Sequence, residues 1–214
     1  MVVDLETTSA DSSKCQITQI AACIINPRTL EIDANSYFNS EVRPEDFDDI
    51  EEEALKITRK TKEGLANAPP LTEAWGNFRE YVKNDSGKNK WSRPVRAGFN
   101  ILAFDNKILQ RMCEKFGDVD KDGKQNLFSD FANIDVMQII WLLMENNNML
   151  AKFSETGKHD IKFPTVARWL GLSTEGLHDA LNDVKQEAKV VVRFLRLFRN
   201  LSEKVQFEGS MKNE

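Results

Sequence analysis

The order of strand-like and helix-like segments constrains this chain more than any single motif. Two apolar, β-branched stretches come first, "CQITQIAACIIN" (15–26) and "LEIDANSYFNSEV" (30–42), separated by the turn residues "NPRT". They read as an antiparallel hairpin. From residue 50 onward helical and strand signals alternate. Helical periodicity covers 50–65 and, after Pro69-Pro70, "LTEAWGNFREYVK" (71–83). "RPVRAGFN" (93–100) reads as a strand, "FDNKILQRMCEKFG" (104–117) as a helix closed by a glycine, and "ANIDVM" (132–137) as a strand running into an apolar helix over 138–150. "FPTVARWLGL" (163–172) is a short helix ending at Gly171. A last helix over 180–199 spaces Ala180, Val184, Ala188, Val191, Leu195 and Phe198 on one apolar stripe. A hairpin followed by such alternation predicts an α/β fold, a mixed sheet with helices packed on it.

A chain of 214 residues suffices for one domain with a sizeable core, expected over residues 1–200 with a polar tail over 201–214. Hydrophobic residues at 41% and charged residues at 29% exclude a wholly disordered chain. The longest uncharged apolar run, "VMQIIWLLM" (136–144), is too short to span a bilayer, and no basic segment followed by an apolar stretch opens the chain. The expectation is a cytoplasmic protein with no membrane partner. Cys15, Cys23 and Cys113 are odd in number and lack metal-ligand spacing, which fits reduced, structural thiols. A net charge of −5 weighs against coating long nucleic acid, but not against gripping a short end, because bound divalent cations offset an acidic cluster.

Charge is placed where burial would be expensive. Asp4 and Glu6 stand in the apolar opening run "MVVDLETTS", and an unpaired carboxylate in such a setting costs several kcal/mol. In a strand, residues two apart share a face, so these carboxylates lie about 7 Å apart while Leu5 enters the opposite layer. Oxygen ligands so placed suit Mg²⁺ or Mn²⁺. A surface strand with alternating polar residues accounts for the pair equally well. Asp105, after "GFNILAF", stands at a helix start, where Asp is also a common N-cap. In "HDALNDV", His178 lies five residues before Asp183. On a continuous helix that spacing turns the two side chains about 140° apart. They converge only if His178 occupies the loop, Asp179 caps the helix and Asp183 falls in its second turn.

Two further segments carry charge. "DVDKDG" (118–123) has the opening acids and glycine of a calcium loop, but the twelfth position is Ser129 where a Glu is required, so an acidic solvated loop is expected. Arg59, Lys60 and Lys62 form either a solvated face or a substrate contact.

Taken together and in order, "VVDLETTS", "GFNILAFD" and "HDALND" resemble the three motifs of the DEDD superfamily of 3′–5′ exonucleases, which share the ribonuclease H-like fold. A His five residues before the last Asp, with no Tyr four before it, places the resemblance in the DEDDh branch, the group of ribonuclease T and of the proofreading subunit of bacterial DNA polymerase III. The resemblance implies a five-stranded mixed sheet flanked by helices and a metal-dependent enzyme. It implies that Asp4, Glu6 and Asp183 hold one of two Mg²⁺ or Mn²⁺ ions, that Asp4 bridges to the second, and that Asp105 supports the second. His178 is then the general base. Thr7 and Thr8 would receive the 3′-terminal nucleotide through their backbone, and Asn100 and Phe104 would line the groove, although Phe104 is as readily core. Relatives often carry Gly where Arg59 stands, and usually a longer first strand than Met1, Val2 and Val3 allow. The expected substrate is a single-stranded DNA 3′ end, released as nucleoside 5′-monophosphates, with a polymerase or other replication partner allowed. An RNA-trimming enzyme and an inactive end-binding module are the alternatives.

Overall fold

The computed structural model describes residues 1–86, 92–147 and 161–205. Along the chain run β1 (Val2–Thr7), β2 (Ile17–Cys23), β3 (Phe38–Glu41), α1 (Glu52–Thr58), α2 (Lys62–Ala66), α3 (Leu71–Asp85), β4 (Arg96–Gly98), α4 (Asp105–Phe116), β5 (Asn133–Asp135), α5 (Val136–Asn147), α6 (Phe163–Trp169) and α7 (Ala180–Lys204). The strands form one sheet in the order β3-β2-β1-β4-β5. The first three are antiparallel to one another, whereas β4 joins β1, and β5 joins β4, in parallel. This is the mixed five-stranded sheet expected of the chain, with β1 at its centre.

Alternation along β1 divides the core into two layers. Val3 and Leu5 pack with Trp75 and Phe78 of α3 and Ile108 and Leu109 of α4. Val2, one residue out of phase, packs with Ile140 of α5, Val166 of α6 and Val184, Ala188 and Val191 of α7. Asp4 and Glu6 share the parity of Val2 and so face the α7 layer. All seven residues of β2 are buried, as befits a strand covered on both faces.

Four segments depart from the sequence reading. The hairpin across "NPRT" closes only through one bridge between Ile25 and Ile32, and β3 does not start until Phe38. Local side-chain bonds interrupt it: Asn26 accepts the N–H groups of Arg28 and Thr29, and Asp33 accepts that of Asn35. The helix read over 50–65 is two helices, broken where Arg59 takes a left-handed φ of 58° and caps α1. Arg59 therefore takes a glycine-type conformation with a side chain attached. The final helix continues to Lys204, past the expected end at 199, and Phe198 is exposed instead of joining the stripe. In the acidic loop Asp118 is not solvated: it is buried, accepts the indole N–H of Trp75 and pairs with Arg79 and Lys83. Its carboxylate is consumed there and cannot serve a calcium loop. All three cysteines are free and buried. Residues 148–150 of the predicted apolar helix and the tail beyond 205 lie outside the described residues.

Candidate active site

Three elements bring the acidic residues to one end of the sheet. On β1, Asp4 and Glu6 project towards the N-terminus of α7, and one carboxylate oxygen from each lies within 4.8 Å of the others when Asp183 is included. The start of α7 is fastened to the sheet by Gln19, which pairs with Glu6 across the β1–β2 ladder. Its Nε2 donates to Asp179 at 3.1 Å, and Asp179 in turn accepts the N–H of Asn182 as the helix N-cap. His178 precedes the cap with a φ of 69°, and that left-handed turn lets its backbone N–H donate to Asp183 Oδ2 at 3.0 Å. The chain reversal solves the spacing problem: Asp179 caps as expected, and Asp183 sits in the first turn, not the second.

Asp105 is the first residue of α4, and the N-cap is Phe104, which contributes no side-chain cap bond. The capping alternative for Asp105 therefore fails. Its carboxylate is instead 4% exposed and accepts the N–H of Leu5 on β1. The loop leading to it is held by Asp135, which accepts the N–H groups of Asn100, Leu102 and Met137 at 3.0, 3.1 and 3.0 Å. Asn100 adopts a φ of 61° within that loop. No role for Asp135 or Gln19 is visible in sequence, because each acts on backbone distant along the chain.

A groove of about 670 Å³ opens between these elements. Asp4, Asp105, Asp183 and His178 line it together with Asn100 and Phe104, while Ile57, Phe99, Met137, Phe163 and Leu177 supply apolar walls. Phe104 also packs against the α3–α4 core. Thr7 and Thr8 are not among the lining residues. The Thr8 hydroxyl accepts the N–H of Gln16, and that of Thr7 donates to the Ser9 carbonyl. Of the basic segment, Lys60 bonds Glu41 at 3.0 Å with its side chain only 8% exposed, whereas Arg59 and Lys62 are exposed.

A further carboxylate completes the floor. Glu187, one turn beyond Asp183 on α7, lines the same groove and is 2% exposed. The sequence did carry a signal, an i,i+4 repeat of acid beside the Ala188 position of the buried stripe.

Crowding five acids in one cleft makes ionisation costly. Burial, reinforced by Glu187, Asp105, Glu6 and Asp183, holds Asp4 well above the usual carboxylate range. Burial and Asp183 push Glu6 up to about 8, although Lys60 opposes this. Burial raises Asp105 and Asp183 each to about 7. His178 moves the other way, lowered by burial and by the nearby Arg59 guanidinium, which favours its neutral imidazole. Asp105 Oδ1, Asp183 Oδ1 and Glu187 Oε2 are buried without a hydrogen-bond partner. Buried carboxylate oxygens left in that state fit a hard divalent cation, for which they are the preferred donors.

The raised carboxylates make a stability prediction with a definite sign. A folded state that holds these protons more tightly than the unfolded chain loses stability as pH rises from about 4 to about 8, by up to about 1.4 kcal/mol per pH unit for one such group. Thermal melts in EDTA should therefore fall between pH 5 and pH 8, and millimolar Mn²⁺ should remove most of that fall. Equal slopes with and without Mn²⁺ would show that the cluster does not bind the ion.

Residues 1–191 match the family model described as the RNase T exonucleases. The chain belongs to that family. Its mixed five-stranded sheet flanked by helices is the α/β fold of the ribonuclease H-like exonucleases. No curated protein matches this exonuclease in sequence. Among solved structures it resembles cell-death related nuclease 4 (CRN-4), with a TM-score of 0.65 and 15% identity over 92% of this chain and 63% of that one. Exonuclease I of E. coli, solved with a dT13 oligonucleotide, gives 0.69 and 15% over 94% of this chain and 42% of that one. Exonuclease I of Methylocaldum szegediense gives 0.70 and 18% over 95% and 40%. The exonuclease thus spans about two fifths of the exonuclease I chains it matches. Among the described residues no helix is long and apolar enough to cross a membrane.

Proposed function

We propose that this exonuclease removes nucleotides from the 3′ end of single-stranded DNA, releasing nucleoside 5′-monophosphates, with two Mg²⁺ or Mn²⁺ ions on the acidic floor. The observation that carries the reading is the convergence of Asp4, Glu6 and Asp183 within 4.8 Å, with His178 tied to Asp183 through its backbone N–H at 3.0 Å. Asp4, Glu6 and Asp183 would hold one ion, and Asp4 and Asp105 would serve the second. When bound, such ions polarise the phosphoryl oxygens and clamp both ends of an in-line displacement. His178 takes the proton from the attacking water, and the electron pair of the broken P–O bond leaves on the 3′ oxygen of the penultimate nucleotide. The apolar walls, Phe99 and Phe163 among them, offer faces for unpaired bases, a contact that tolerates any sequence. Arg59, exposed next to His178, is placed for a backbone phosphate. Support for single-stranded DNA comes from the structural likeness to an exonuclease I that was solved with an oligodeoxynucleotide.

The test uses matched single-stranded DNA and RNA oligonucleotides labelled at the 5′ end and incubated with Mg²⁺. A ladder shortening from the 3′ end, faster on DNA, is expected. Faster trimming of RNA would reassign the substrate, and internal fragments would overturn the reading.

A further inference from the structure

We propose that Glu187 is a fifth acidic ligand of this site, adding a carboxylate oxygen to the second cation position between Asp4 and Asp105, so that both ions are held before any substrate arrives. The inference rests on the metal-dependent reading above and extends it to a residue outside the three motifs.

Several observations converge on Glu187. It lies one turn after Asp183, and an i,i+4 spacing puts both side chains on the face of α7 that covers β1. It is 2% exposed, yet it lines the groove with Asp4, Asp105 and Asp183. Its carboxylate accepts the N–H of Phe99, which orients it, while Oε2 has no partner. Glu187 lies outside the Asp4–Glu6–Asp183 trio, whose oxygens gather within 4.8 Å, and lines the groove with Asp105. Glu6 belongs to that trio but is not among the residues that line the groove. Glu187 Oε2 packs close to β4: a Cβ at Gly98 would collide with Ile101 Cγ2 and would meet the Val3 carbonyl at 2.9 Å and Glu187 Oε2 at 3.3 Å.

A buried carboxylate with an unused oxygen destabilises a fold unless a cation or a donor meets it. Among the described residues no Lys or Arg pairs with Glu187. The buried Arg96 points elsewhere, over the Phe128 ring. Hard carboxylate oxygens suit a divalent cation, and supplying it with a further protein carboxylate lessens its dependence on substrate phosphate.

The experiment is a calorimetric titration of the full chain with Mn²⁺, without oligonucleotide, on the parent, Glu187→Gln and Glu187→Asp, with thermal melts of each in EDTA and in Mn²⁺. The parent should bind two ions. Glu187→Gln keeps an acceptor for Phe99 but should weaken the second ion about ten- to a hundredfold, leaving the first within about twofold. Glu187→Asp should recover part of the loss. In EDTA the Gln variant should melt at or above the parent, because a buried acid crowded by other acids gives way to a neutral amide, and its Mn²⁺-induced rise should shrink. Unchanged stoichiometry and affinity, or a Gln variant that unfolds or melts well below the parent in EDTA, would assign Glu187 a packing role and overturn the proposal. A parent that binds no Mn²⁺ would overturn the metal-dependent reading itself.

Discussion

Asp4→Asn should lower turnover on a single-stranded oligonucleotide by at least about 10³-fold, because it removes the carboxylate common to both proposed cation positions. A cation clamp on a reacting phosphoryl group contributes several kcal/mol, and each 1.36 kcal/mol is a factor of ten. Asn is nearly isosteric, and Asp4 is the acid whose neighbours include all four others. The variant should consequently fold and, in EDTA, melt no lower than the parent. The measurement is single-turnover cleavage alongside Mn²⁺ titration: turnover and affinity should fall together. Full turnover with weakened Mn²⁺ binding would mean that the ion at Asp4 is not part of the reaction.

His178→Ala separates the base from the ligands. Among the described residues His178 bonds the acidic cluster through its backbone N–H, which donates to Asp183, and alanine retains that bond. Mn²⁺ affinity should therefore stay within a few-fold, while turnover drops by the 10²–10⁴-fold typical of a positioned general base. The pH profile adds a second readout. Burial and Arg59 lower the imidazole below its ordinary value, so the parent should hold its rate at pH 7 and lose it only as His178 protonates at lower pH. That acid limb should disappear in the variant. Near-parental turnover would leave His178 as a loop residue that merely positions Asp183.

Sequence made the sheet legible because its signals were local: "IAAC" in β2 and the alternation of Val2, Val3, Asp4, Leu5 and Glu6 in β1 state their faces directly. The five motif residues were legible for a different reason, since three separated segments had to agree in order and spacing. What escaped was long-range. Gln19 reaches Asp179 across 160 residues, and Asp135 organises a loop 33 to 35 residues earlier, and neither leaves a periodic trace. The two-helix break at Arg59 escaped because a left-handed residue is signalled by glycine, and arginine hides it. Thr8 was assigned by analogy to the nucleotide, whereas the fold spends its hydroxyl on Gln16 and its carbonyl on Glu51. Glu187 lay in view on the helix stripe, but a single glutamate beside alanine resembles a boundary residue until the sheet beneath it is known.

The account turns on the acidic floor being a divalent-cation centre at which a 3′ end is cut. Its most direct test is the anomalous scattering of crystals of the parent protein grown with Mn²⁺ and a short single-stranded oligonucleotide. The account predicts a strong Mn²⁺ peak shared by Asp4, Glu6 and Asp183, with the last phosphodiester of the 3′ end beside it and within reach of His178. A floor without Mn²⁺ at saturating concentration, or an oligonucleotide entering the groove by its 5′ end, would contradict it.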